Sequence, residues 1–261
     1  LSGMLMFMVK KAFFDMWDHF LGVVIMNLGF ILLLSIPLAL PSVVVNVSVI
    51  GAILVQVVGG LLTIVYAGAI SMAARDIANY ERPEFRKVVG YLKETWLSSL
   101  VLGLIWVGIV LVVVIGFPVY AQMGNLLGLA AIVFLFWAIV IWALSSQFYF
   151  PARAQLDSKI GRIIKKSFVI FFDNTIFALV LGIGTVVILA GMVFTALLIP
   201  GVTGLLIWHQ VGLKLRLYKY DYLEENPEAS RRDIPWDALL IDEKERVGKR
   251  TLRGMIFPWK E

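Results

Sequence analysis

Three long stretches without any Asp, Glu, Lys or Arg dominate the hydrophobic pattern of the chain. They cover residues 19–74, 95–152 and 174–213. A helix needs roughly 20 residues to cross the apolar core of a bilayer, so the first two stretches are too long for one pass each. Each is predicted to fold as two helices joined by a turn. The turn is expected at Pro37 or residues 40–42 in the first stretch, and within residues 116–125 in the second.

The third stretch admits more than one arrangement. A turn at Pro200 and Gly201 leaves a short last helix, which would extend to Lys214 and Arg216 with their side chains reaching toward the interface. A turn near Gly191 would instead make Pro200 a kink, and a re-entrant leg is the third alternative. The favoured interpretation is two further passes. The sequence therefore predicts an all-α polytopic membrane bundle of six helices in three hairpins, over residues 20–40, 43–73, 96–118, 125–149, 174–195 and 198–216.

Composition agrees with this interpretation. The chain is 60% hydrophobic and only 16% charged, whereas soluble domains are roughly 25% charged. It contains no cysteine, which excludes disulfides, thiolate metal sites and cysteine nucleophiles. All 23 Lys and Arg fall outside the uncharged stretches, in segments that six passes place on one side. The positive-inside rule then predicts that both termini are cytoplasmic.

Each predicted hairpin follows a segment that mixes basic and aromatic residues at helical spacing. These segments are residues 9–20, 85–96 and 161–174. Such a pattern is typical of amphipathic helices at the membrane interface, and equally of helix ends that extend beyond the membrane.

Three stretches resemble a family of bacterial membrane proteins of unknown function typified by YesL. They are "MNLGFILLLSIPLALP" (26–41), "AARDIANYERPEFRKVVGYLKETWLSSL" (73–100) and "FYFPARAQLDSKIGRIIKKSFVIFFDN" (148–174). The likeness is spread over residues 10–213, and the tail that follows is longer than is usual in that family. The resemblance implies a protein of the bacterial inner membrane with an accessory role in carbohydrate uptake by ABC transporters.

A few polar residues in or near the predicted spans are candidate intramembrane contacts. Amides in lipid commonly link helices by hydrogen bonds, and a polar pathway for a solute is the alternative. The histidine among them is either a proton or ligand site or a side chain bonded to a neighbouring helix. These candidates are Asn27, Gln56, Asn174, His209 and Gln210.

No catalytic motif is present. The sequence contains neither HExxH nor a Walker motif, nor a Ser/His/Asp grouping. We therefore expect a non-enzymatic protein with no cofactor and no metal site. The tail mixes bases and acids almost evenly, which argues against nucleic-acid binding.

The tail from residue 217 is predicted to be cytoplasmic, with a short amphipathic helix after Asp233. Its apolar end has three alternative contacts: the underside of the protein itself, lipid headgroups, or a partner subunit. The candidate contact residues are Trp236, Arg250, Arg253, Met255, Phe257 and Trp259.

The leading hypothesis is an accessory or scaffold subunit of a larger membrane complex, in contact with membrane lipids and with other membrane subunits. The alternative is a stand-alone carrier or channel for a neutral or amphipathic solute. That alternative requires a water-accessible polar cavity among the amides of the spans.

Overall fold

The protein is a helical bundle. The computed structural model describes residues 2–231 and 233–250, and every regular element in these two ranges is helical. The helices are α1 (Ser2–Asp18), α2 (Phe20–Val44), α3 (Val49–Ala78), α4 (Phe85–Leu111), α5 (Phe117–Gln122), α6 (Leu126–Ser146), α7 (Tyr149–Gln155), α8 (Ile160–Asp173), α9 (Thr175–Phe194), α10 (Gly201–Glu225), α11 (Trp236–Leu239) and α12 (Ile241–Val247). A π-helical turn, Val112–Gly116, joins α4 to α5.

Five helical segments in the described ranges are long and apolar enough to cross a membrane. They are Phe20–Val44, Val49–Ala78, Phe85–Gln122, Leu126–Gln155 and Thr175–Phe194. The all-α class and the presence of transmembrane helices are thus confirmed. The arrangement as six spans in three hairpins is not, because α10 falls outside this set.

The first turn comes later than the prolines predict. Helix α2 continues through Pro37 and Pro41, and the chain turns only at residues 45–48. Pro37 packs directly against Gly59 of α3, where any side chain would collide with it. Ser48 ends the turn by accepting a hydrogen bond from the Gly51 N–H at 3.0 Å, which caps α3.

The second turn lies at residues 123–125, inside the predicted region. Asn125 caps α6 by accepting a hydrogen bond from the Gly128 N–H at 2.9 Å. Of the three basic and aromatic segments, the first and the third lie in separate helices, α1 and α8. The second is simply the beginning of the long helix α4.

Helix α10 is surrounded by protein. It packs against α1, α2, α3, α7 and α9, and its residues from Leu206 to Leu213 are all buried. It begins at Gly201 beside Asn27, within the first third of α2. Neighbouring helices therefore cover its polar side chains, which explains how a segment of low hydropathy occupies the bundle.

The charged side chains gather at one end of the bundle, called the charged end here. Arg75 of α3 donates to the Ala154 carbonyl at 3.2 Å, and Arg153 of α7 pairs with Glu94 of α4 at 3.1 Å. Lys214 of α10 donates to the carbonyl of Ala78 at 2.9 Å. These contacts place the ends of α3 and α7 at one level with Glu94 of α4 and with the middle of α10.

Candidate functional site

Asn27 ties the beginning of α10 to α2. Its amide nitrogen donates to the carbonyls of Leu198 and Pro200 at 2.9 and 3.0 Å. Its amide oxygen accepts from the Thr203 N–H at 2.9 Å. The side chain is fully buried. Asn27 thus satisfies backbone groups of a non-helical segment inside the bundle, where water is not available to do so.

His209 belongs to a polar chain between α10, α9 and α6. Its Nε2 lies 2.8 Å from the Thr185 hydroxyl, which also donates to the Gln147 side-chain oxygen at 3.2 Å. Gln147 in turn donates to the carbonyl of Ala178 at 3.3 Å. These polar side chains therefore link α10, α9 and the end of α6, in the manner expected of amides in lipid.

Gln210 makes a second link, from α10 to α3 and α7. It donates to the hydroxyl and the carbonyl of Ser71 at 2.7 and 3.0 Å. Its side-chain oxygen accepts from Gln155 at 2.6 Å. Gln210 is fully buried, so its amide is fully used in joining three helices.

Gln56 differs from the other candidates because it is exposed. It lies on α3 and makes no hydrogen bond with any residue that the structure describes. Its side chain lines an apolar groove of about 530 Å³ between α2, α3 and α4. Gly60 and Gly103 line the same groove, and nothing lies within 4 Å of a Cβ placed on Gly60.

The short helix α12 inserts a carboxylate into the charged end. Glu243 is 3% exposed and pairs with Lys214 at 2.7 Å and with Lys11 at 3.4 Å. It also accepts hydrogen bonds from the hydroxyls of Tyr80 at 2.6 Å and Tyr218 at 2.8 Å. These five residues form the Glu243 cluster, which fastens the tail to α1, α10 and the end of α3.

The electrostatics of the Glu243 cluster favour ionised Glu243. Burial opposes ionisation, but Lys214 and Tyr80 outweigh it and lower the pKa of Glu243 to about 2. Asp15, which pairs with Lys11 at 3.0 Å, behaves in the opposite way. Burial raises the pKa of Asp15 to about 6 in spite of Lys11. The Glu243 cluster therefore holds its own carboxylate ionised, whereas the neighbouring Asp15 protonates near pH 6.

Sequence reasoning missed Glu243, although a signal for it exists. Leu240, Glu243 and Val247 are all buried, and their spacing places them on one face of a helix. An acid in the middle of an apolar stripe predicts a buried cationic partner, since an isolated buried charge is costly.

The described tail candidates contact the protein itself. Trp236 is half-buried, with its ring centre 5.3 Å from the guanidinium carbon of Arg216. Arg250 is exposed and pairs with Asp18 of α1 at 2.8 Å, and Lys10 donates to the Gly248 carbonyl at 2.8 Å. The other predicted contacts, Arg253, Met255, Phe257 and Trp259, lie outside the described residues.

Asn174 lies at the junction of α8 and α9. Its amide nitrogen donates to the Tyr220 hydroxyl at 2.5 Å, and its oxygen accepts from Lys219 at 3.1 Å. Asp173 beside it accepts from Lys219 and Tyr220, each at 2.9 Å. Asn174 therefore connects the start of α9 to the far end of α10.

Comparison with protein-family models, with curated proteins and with solved structures finds no match for this chain. In the part of the chain that the structure describes, no three His, Asp or Glu side chains are grouped closely enough to hold a metal ion.

Proposed function

We propose that the protein is a non-enzymatic accessory or scaffold subunit of a larger membrane assembly. The observation that carries the proposal is the exposed amide of Gln56 in an otherwise apolar groove of α3. Gln56 lies about 10 Å from the beginning of α3, at 1.5 Å per residue. An amide facing hydrocarbon has no water to bind, and a helix of another protein with a hydrogen-bonding side chain would satisfy it.

The shape of the groove suits a helix. Gly60 leaves open space in the groove, since nothing lies within 4 Å of a Cβ placed there, and small residues let two helix backbones approach closely in a membrane. The rest of the lining is mainly aliphatic, with Trp106 at one side. The proposed occupant is therefore a transmembrane helix of a partner protein, which covers the groove and pairs with Gln56.

The packing of the other amides favours a subunit over a stand-alone carrier. A carrier needs polar groups that can bind a solute within a wet cavity. Asn27 and Gln210 are fully buried and spend their hydrogen bonds on the protein itself. No free amide remains at either position to bind a solute.

We place the protein in the inner membrane of a bacterium with both termini cytoplasmic. Lys10 contacts Gly248, so the first and last described helices lie together at the charged end. Basic residues mark the cytoplasmic side. In this topology α10 returns the chain to the charged end after α9, either as a sixth pass or as a re-entrant leg. The association with carbohydrate ABC transport is supported by the resemblance to the YesL-like family.

The test is purification from native membranes in mild detergent, with a photo-reactive amino acid at Ile53, which lines the groove. We expect one membrane protein in stoichiometric amount, cross-linked through an apolar segment, and lost in Gln56→Leu. The matched control is Gln122→Leu, since Gln122 is also exposed but lies outside the groove. Purification as a single species without partners would contradict the proposal. A cross-link to a second copy of the chain would show that the groove binds another copy of this protein instead of a different partner.

A further inference from the structure

A cleft lies where α8 ends and α9 begins. It has a volume of about 680 Å³ and faces the last part of α10 and the tail near Trp236. Three cations line it and outnumber the two carboxylates. The charged lining residues are Arg216, Lys219, Arg231, Asp173 and Asp233.

Arg216 is the exceptional side chain of this cleft. It is 4% exposed, and its Nε has no hydrogen-bond partner among the described residues. Its guanidinium carbon lies 4.0 Å from the ring centre of Phe177 and 5.3 Å from that of Trp236. Ring faces attract a cation only weakly compared with a carboxylate. A buried guanidinium without a hydrogen-bonded anion is costly, so this side chain is suited to an external anion.

The Asp173 carboxylate in the cleft lining is already paired with cations. Asp173 pairs with Lys219 at 2.9 Å and with Arg231 at 3.3 Å. Burial alone would raise the pKa of Asp173, but hydrogen bonds from Lys219 and Tyr220 outweigh it and lower that pKa. Asp173 is therefore ionised and paired with Lys219 and Arg231, and it forms no ion pair with Arg216.

The first turn of α9 adds backbone donors to the same cleft. Thr175, Ile176 and Phe177 line it, and the Ala178 N–H that follows bonds to the Asn174 carbonyl at 2.9 Å. Asn174 makes no side-chain capping bond to this turn. The N–H groups of the first turn of a helix lack intrahelical acceptors and, together with the helix dipole, favour an anion.

The other wall of the cleft is apolar and exposed. Phe172 is 62% exposed and Ile176 is 68% exposed, at the point where α9 begins its pass of about 30 Å. An anion bound beside Arg216 would thus have apolar surface next to it at the membrane boundary. We propose that this cleft binds the phosphate of an anionic membrane lipid, with Arg216 and the first turn of α9 as ligands and with acyl chains over Phe172 and Ile176.

The experiment is native mass spectrometry of the full chain in detergent, titrated separately with short-chain phosphatidylglycerol, short-chain phosphatidylcholine and inorganic phosphate. We expect phosphatidylglycerol to bind best, and Arg216→Gln to weaken its binding by about tenfold or more, because one charge-assisted contact is lost. Arg162→Gln is the control, since Arg162 is a basic residue of α8 outside the cleft. The affinity of Arg162→Gln for phosphatidylglycerol should equal that of the wild type.

Three outcomes would overturn the proposal. Equal binding of phosphatidylglycerol to the wild type and to Arg216→Gln would show that Arg216 does not bind the lipid. Binding of phosphatidylcholine as tight as that of phosphatidylglycerol would show that the cleft does not prefer an anion. Inorganic phosphate that competes at the same concentration would identify a free-phosphate site. If Arg216→Gln fails to fold, Arg231→Gln replaces it, because Arg231 is largely exposed and its loss should not affect folding. Arg231 is one of the three cations that line the cleft, so its removal should still weaken phosphatidylglycerol binding.

Discussion

The hydroxyl of Tyr80 donates a hydrogen bond to the carboxylate of Glu243 at 2.6 Å, although 163 residues separate the two in the chain. Tyr80 follows the end of α3, and Glu243 belongs to the short helix α12 near the end of the described chain. Lys11 lies over the Tyr80 ring at 3.6 Å and pairs with Glu243. Three distant parts of the sequence therefore meet at one carboxylate.

Removal of this carboxylate should release the tail. In Glu243→Gln, the cations of Lys11 and Lys214 lose their shared partner, and breaking a buried pair costs about 3 kcal/mol. We expect a lower thermal unfolding temperature in detergent and faster proteolysis between residues 226 and 235. Glu245→Gln is the matched control, because Glu245 is exposed on the same helix. Equal behaviour of the two variants would show that the Glu243 cluster does not hold the tail.

Asp15 should make the protein more stable at pH 5 than at pH 8. Its pKa is about 6 in the folded protein and 3.8 without burial. Because the folded protein holds the Asp15 proton more tightly than the unfolded chain does, protonation of Asp15 stabilises the fold. This contribution is fully present below the unfolded pKa of 3.8 and is lost as the pH rises through about 6. Asp15→Asn should therefore raise the unfolding temperature at pH 8, where it removes a cost of roughly 2 kcal/mol, and raise it less at pH 5, where Asp15 of the folded protein is mostly protonated. The depressed pKa of Glu243 acts only at lower pH, between about 4.5 and 2.

The check is thermal unfolding in detergent at both pH values. Asp242→Asn is the control, since Asp242 is exposed. An Asp15→Asn variant with the full pH dependence of the wild type would contradict the assignment to Asp15.

Asn27 should be essential for the beginning of α10. Asn27→Ala leaves the Thr203 N–H and two carbonyls without their side-chain partner in a buried place, and each unsatisfied group costs about 1–3 kcal/mol. We expect a large fall in the unfolding temperature. Asn46→Ala is the comparison, since Asn46 is exposed and has only a weak contact at 3.4 Å. A similar small effect of both changes would exclude the proposed role of Asn27.

Gly201 and Gly124 offer a paired test of the same contact. Both have a left-handed backbone, with φ of 58° and 60°, so alanine at either position should cost about 1 kcal/mol. A Cβ at Gly124 would meet nothing within 4 Å, whereas one at Gly201 would overlap the side chain of Asn27. We expect Gly201→Ala to be clearly the more destabilising in thermal unfolding. Equal effects would mean that Asn27 moves aside at no cost.

The predictable part of the fold is the part that contacts lipid. The uncharged stretches predict all five apolar segments, because lipid requires long apolar surfaces. The position of the first turn was not predictable from Pro37 and Pro41, since a helix accepts proline where a neighbour such as Gly59 leaves room. Local sequence does not specify that neighbour.

The residues that make the important contacts also divide into those that the sequence predicts and those that it does not. Asn27, His209 and Gln210 were found by their polarity alone, and each joins helices. Glu243 was not singled out, and Arg216 was expected only to reach toward the interface, because each is a charged residue among many in a charged segment. Their importance depends on burial by α1, α9 and the tail, which only the folded chain reveals.

The enclosure of α10 has a consequence for biosynthesis. Helices α1, α2, α3, α7 and α9, which pack around α10, all precede it in the chain. When α10 leaves the ribosome, the surroundings that shield Gln210, Arg216 and Lys219 have already been synthesised. The burial of α10 thus depends on the helices made before it rather than on its own hydropathy. Glu243 and Trp236 arrive afterwards and close the charged end over it.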